Sequence, residues 1–166
     1  MSRYNTIIPN DVVNGEGVCV SFFVQGCPHH CPGCFNEETW DFHGGQPYTQ
    51  DVKWEIIKAI SANNITRNFS ILGGEPLAPQ NIEMTWEVVD AVRHAYPHIT
   101  ITLWTGYTYD ELCIHPDKNL LDILDAIDVL IEGPFIEEEK DLSLKLRGSR
   151  NQHIYVRKQN KWERQE

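Results

Sequence analysis

The chain has 166 residues, which by length alone is a single domain, 1–166, able to bury a core. Hydrophobic residues at 41% and charged residues at 23% are ordinary globular values, and a formal net charge of −10 argues against a nucleic-acid partner, because a polyanion is repelled. The opening MSRYNTIIPND has no apolar signal region and no apolar run approaches membrane-spanning length, so the chain is expected in the cytoplasm with no membrane partner.

In chain order, a glycine-containing turn, Asn14-Gly15-Glu16-Gly17, precedes a first expected strand at 18–24, rich in β-branched and aromatic residues. That strand runs straight into Cys27-Pro28-His29-His30-Cys31-Pro32-Gly33-Cys34. Residues 51–63 have helical periodicity, with Val52, Ile56, Ile57 and Ile60 on one face and Thr49 or Asp51 as cap. A short apolar strand at 68–72 ends on Gly73-Gly74. A second helix is expected at 81–96, with Ile82, Trp86, Val89 and Val92 inward. A strand at 99–104 is followed by Thr105-Gly106, and Cys113 follows a short polar helix. A third long helix at 120–127 leads into a fourth strand at 128–131 that ends on Glu132-Gly133. An acidic stretch (Glu132, Glu137, Glu138, Glu139, Asp141) precedes a basic tail (Lys145, Arg147, Arg150, Arg157, Lys158, Lys161, Arg164). Two solvated faces explain this segregation most simply; a docking surface for a protein partner is the alternative.

Alternating strands and helices give an α/β fold with parallel strands, and such sheets gather chemistry at the C-terminal strand ends. The cysteine loop, Gly73-Gly74-Glu75-Pro76, Trp104-Thr105-Gly106-Tyr107 and Glu132-Gly133-Pro134 all fall there, which points to one site. The chain is too short for eight strand–helix units, so a partial, open barrel is expected.

The three cysteines are spaced CX3CX2C. Three thiolates on one loop hold three irons of a 4Fe-4S cluster and leave the fourth iron open, whereas simple electron carriers fill all four positions with cysteine. A disulfide framework is disfavoured by an odd count of five cysteines. Structural zinc is the rival, since Cys3His is a common set and His29, His30 and His43 lie near, but a second paired knuckle is missing. In Gly73-Gly74-Glu75-Pro76, the glycines allow close approach to the backbone, Glu75 can accept from an ammonium group, and Pro76 suits a first helical turn.

The CX3CX2C loop resembles that of the radical S-adenosylmethionine (SAM) superfamily, in which SAM takes the open iron. Gly73-Gly74-Glu75 resembles that superfamily's motif for the amino group of SAM. Asn14-Gly15-Glu16-Gly17, Cys31-Pro32-Gly33-Cys34-Phe35-Asn36 and Thr39-Trp40 narrow the likeness to the glycyl-radical-enzyme activases. Trp104-Thr105-Gly106-Tyr107-Thr108, Glu132-Gly133-Pro134-Phe135, Lys140-Asp141, Arg147-Gly148-Ser149 and Asn151-Gln152 narrow it to the small activases of anaerobic ribonucleoside-triphosphate reductase. Two positions depart from the pattern: Cys19 stands where an arginine is common, and Glu132 replaces an aspartate.

The resemblance implies a partial, open parallel β/α barrel of the radical SAM type and a radical SAM oxidoreductase. Cys27, Cys31 and Cys34 would ligate the cluster, and through it act in catalysis. The segment Gly33, Cys34, Phe35 with Gly73, Gly74 and Glu75 would contact SAM, with Thr105 and Glu132 as further candidates. The cofactors implied are a 4Fe-4S cluster and SAM. The reaction implied is one-electron cleavage of SAM to a 5′-deoxyadenosyl radical, which removes hydrogen from a glycine of the reductase catalytic subunit. A low-potential electron donor is a second implied partner; activation of another glycyl radical enzyme is the alternative reading.

Overall fold

The computed structural model describes residues 1–165. Its strands are β1 (Arg3–Asp11), β2 (Cys19–Val24), β3 (Gln46–Pro47), β4 (Asn68–Gly73), β5 (Ile101–Trp104), β6 (Val129–Glu132), β7 (His153–Lys158) and β8 (Lys161–Gln165). Its α-helices are α1 (Gln50–Ile60), α2 (Ile82–Ala95), α3 (Tyr109–Cys113) and α4 (Lys118–Ala126). The strands form one sheet in the order β3-β1-β2-β4-β5-β6-β7-β8, and its two outermost strands are not paired with each other, so it is unclosed.

The four expected strands are the centre of this sheet, and β2, β4, β5 and β6 pair in parallel. The expected parallel arrangement holds for these four strands and is extended at the margins by strands that the sequence reading did not include. There, β1 and β3 on one side and β7 and β8 on the other run antiparallel. The difference is one of burial. The central strands are short apolar runs, such as CVSFFV in β2, and are buried almost throughout, as parallel strands are. The marginal strands are half-buried to exposed, and β8 is KWERQ, with one apolar side chain.

The core joins Phe22, Phe69, Ile71, Ile101 and Leu103 of the sheet to Ile56 and Ile60 of α1, Val88, Val89 and Val92 of α2, and Leu120 and Ile123 of α4. Helix α1 ends earlier than its periodicity suggested, at Ile60, because Asn63 and Asn64 take left-handed conformations. Thr49 stands at its N-cap without a side-chain hydrogen bond. Helix α2 starts at Ile82, so Pro76 lies in the preceding turn and not in a first helical turn. Helix α3 is a five-residue element held by a capping box between Thr108 and Glu111. No helix of the described residues is long and apolar enough to cross a membrane.

Parallel register decides where the site falls. Val24 lies beside Gly73, and Trp104 beside Ile131, so the four segments that follow β2, β4, β5 and β6 emerge together.

Candidate iron-sulfur site

The segments are stitched by their backbones. Gly74 and Glu75 donate to the carbonyls of Val24 and Gly26 at 2.9 and 2.8 Å, and Thr105 donates to Ile131 at 2.9 Å. Gly26 and Cys27 donate in turn to Thr39 and Trp40 at 2.6 and 3.1 Å, which fixes the root of the cysteine loop. Two buried amides that the sequence did not single out complete the frame. Asn81 donates to the carbonyls of Gln25, Gly26 and Glu75, and Gln25 donates to those of Glu38 and Asp41. Local pattern does not reveal them, because most of their partners lie 13 to 56 residues away in sequence.

Gly74 is required by this stitching. A Cβ there would run into the Gly26 backbone, at the join of the two loops. Its φ is not in the left-handed region, so the obstacle is contact alone. We expect Gly74→Ala to destabilise the metal-free protein by about 1–3 kcal/mol, as overpacking does, read from urea unfolding. Unchanged stability would show that the two loops do not touch.

Cys27, Cys31 and Cys34 are free thiols that line one cavity of about 140 Å³ together with His29, Gly73, Gly74, Glu75, Trp104 and Thr105. Each sulfur is faced by backbone N–H groups: Cys27 by those of His29 and His30, Cys31 by that of Phe135, and Cys34 by that of Asn36 at 3.4 Å. Such donors offset negative charge on metal-bound sulfur and tune a cluster's potential. Among the described residues, no three His, Cys, Asp or Glu side chains converge at the spacing of a single metal ion. The three nearby histidines have other partners. His29 reaches Glu75, His30 stacks on Trp40 with ring centroids 4.7 Å apart, and His43 is exposed beside Asp41. The donor set therefore suits a cluster, in which each thiolate holds its own iron, better than a Cys3His ion.

Burial pushes the Cys27 thiol from its ordinary 9.0 up to about 11, against the pull of the two N–H groups. Burial raises Cys31 as well. A thiol pKa raised by folding leaves stability whole below the unfolded value and removes it as pH rises through the folded value. The metal-free protein is therefore expected to lose stability between about pH 9 and pH 11, and Cys27→Ala to flatten that loss in urea titrations. An equal loss in both proteins would show that Cys27 is not buried in this way.

The remaining candidates divide. Thr105 is buried, lines the cavity and donates to Glu75 at 2.8 Å. Phe35 is exposed and lines an adjoining cavity of about 480 Å³ that shares Cys34, Trp104, Phe135 and Gln152 with the first. Gly33, at φ 77°, lies against Phe135 and Glu137, where a Cβ would be tight. Glu132 is not brought to the cysteines: its carboxylate accepts from the Tyr109 N–H at 2.6 Å, meets His153 at 2.8 Å, and borders a separate cavity. Strand β6 does end at Glu132, but the Tyr109 N–H and His153 hold its carboxylate at the separate cavity. Cys19 is a small buried residue whose thiol donates to the Glu16 carbonyl, and Cys113 is exposed.

Comparison with known proteins agrees with this donor set. A family profile described as a 4Fe-4S single cluster domain matches residues 13–155. The chain is 40% identical over 154 residues to the anaerobic ribonucleoside-triphosphate reductase-activating protein of Escherichia coli K12, covering 92% of this chain and 97% of that protein. It is 41% identical over the same share to the Vibrio cholerae protein of that name, and 36% identical over 162 residues to that of Enterobacteria phage T4. A cluster loop, a set of strand-end motifs and near-complete coverage of these relatives thus agree, and the chain belongs to the family of anaerobic ribonucleoside-triphosphate reductase-activating proteins.

Proposed function

We propose that Cys27, Cys31 and Cys34 hold a 4Fe-4S cluster with one open iron, that SAM binds there, and that the protein generates the glycyl radical on the catalytic subunit of anaerobic ribonucleoside-triphosphate reductase. The observation that carries this reading is the cavity at the parallel strand ends, where three free thiols are each faced by backbone N–H groups. An activase of this family is an enzyme, a radical SAM oxidoreductase. The bound cluster supplies the electron for cleaving SAM.

The chain's own residues bind, orient and shield. Gly73 and Gly74 border the cavity and, lacking side chains, let a ligand approach the backbone closely. Trp104 and Phe135 line both cavities and exclude water, and the Trp104 indole is fixed by donating to the Leu146 carbonyl at 2.8 Å. Gln152 closes the far wall by donating to Gly133 and accepting from Gly148 and Ser149. The unclosed sheet, taken as a partial barrel of the radical SAM type across one domain, 1–166, leaves this end open to the reductase. A low-potential electron donor and a cytoplasmic setting complete the reading.

The test is electron paramagnetic resonance of the anaerobically reconstituted, reduced protein with and without SAM, followed by transfer to the reductase. A cluster signal that changes on adding SAM, and a glycyl radical on the reductase, are expected. A signal indifferent to SAM would overturn the reading of the open iron. Activation of a different glycyl radical enzyme, with none of the reductase, would overturn the partner.

A further inference from the structure

Glu75 is almost wholly buried, at 1% exposure, and its carboxylate is full. Oε1 accepts from the Nε2–H of His29 and the N–H of Gly106, each at 2.7 Å. Oε2 accepts from the N–H of Leu77 at 2.9 Å and the hydroxyl of Thr105 at 2.8 Å. A carboxylate offers about four acceptor positions, so no position is left for an ammonium group. One of the four donors, His29, is the middle of the cysteine loop, two residues after Cys27 and two before Cys31.

Two further observations show that the ring is seated. The His29 ring meets Tyr107 edge-on, with centroids 4.7 Å apart. A Cβ on Gly106 would lie 2.5 Å from the ring's Cδ2 and 2.7 Å from its Nε2, so the bare backbone at Gly106 is what admits His29 to Glu75. The contact joins loops 46 residues apart in sequence.

We propose that His29 and Glu75 form an internal brace that holds the cysteine loop in its ligating shape, so that Glu75 serves the loop through His29 and does not receive the ammonium group of SAM. The inference rests on the proposed function for the identity of the ligand. His29 is on this view a positioning residue, and the amino group of SAM is left to other groups of the cavity wall.

The test uses the full-length reconstituted protein and three variants, His29→Ala, His29→Gln and Gly106→Ala, with the double His29→Ala/Gly106→Ala. Iron loss to a chelator is timed without SAM, and the cluster's resonance signal is then titrated with SAM. His29→Ala is expected to lose iron about tenfold faster, the scale of a lost hydrogen bond to a charged group. His29→Gln, whose side-chain N–H reaches a similar distance, should restore retention, which a general packing defect would not allow. Gly106→Ala should match His29→Ala, and the double variant should be no worse than either, because both break one contact. The SAM response should survive in the iron that remains. Unchanged retention in His29→Ala, no rescue by glutamine, additive losses in the double variant, or a lost SAM response with iron retained would each overturn the brace. A wild-type cluster indifferent to SAM would instead defeat the proposed function, and iron loss would still report on the brace.

Discussion

Single replacement of Cys27, Cys31 or Cys34 by alanine is expected to abolish SAM cleavage and glycyl-radical formation, because each thiolate would hold a different iron and none has a substitute. His29 is held by Glu75, His30 by Trp40, and Cys19 is buried outside the cavity lining, so no spare cysteine or histidine stands free at the cavity among the described residues. Iron and sulfide per chain should fall in step with activity. Cys113→Ala is the control, since that thiol is exposed and does not line the cavity, and it should match the wild type. Cleavage retained by any one of the three loop variants would remove that cysteine from the ligand set.

Glu75→Ala should be among the most destabilising substitutions in the metal-free protein. It strips the partner from four donors in a site that water scarcely reaches. Breaking a buried hydrogen-bonded carboxylate in this way costs about 3–5 kcal/mol, a fall of about 10 °C in melting temperature for a domain of this size. Glu75→Gln keeps the volume and one acceptor oxygen, and should lose about half as much. A loss below about 1 kcal/mol in the alanine variant, within the range of an ordinary surface change, would mean that the four hydrogen bonds are not formed. Calorimetry on metal-free protein separates this effect from any change in cluster content.

The sequence reveals the parts of this molecule that depend on local pattern. Apolar runs locate β2, β4, β5 and β6, and the residues that follow them name the loops around the cavity. The cysteine spacing points to a cluster but leaves structural zinc as a rival, which the surrounding motifs and the family match weigh against. What pattern cannot reveal are features decided across space. β1 and β7 are strands of intermediate burial without a clean alternation, although each is paired on both sides, so no period of two marks them in the sequence. Asn81, Gln25 and Gly106 matter through partners that β-sheet register brings near. For Glu75 the motif was visible but its saturation was not, because three of its four donors lie 30 or more residues away.

The long-range stitching of the loops sets an order of events during synthesis. All three loop cysteines have been made by residue 34, but Phe135, whose N–H faces Cys31 and whose ring walls the cavity, follows about 100 residues later. At a pace of synthesis of about 5–20 residues per second, the thiols wait roughly 5–20 s before their enclosure even exists. Parallel pairing of distant segments then adds its own delay, because loop-closure entropy is lost before the contacts are gained. A nascent chain thus passes through an interval in which its thiols are open to oxidants and to stray zinc.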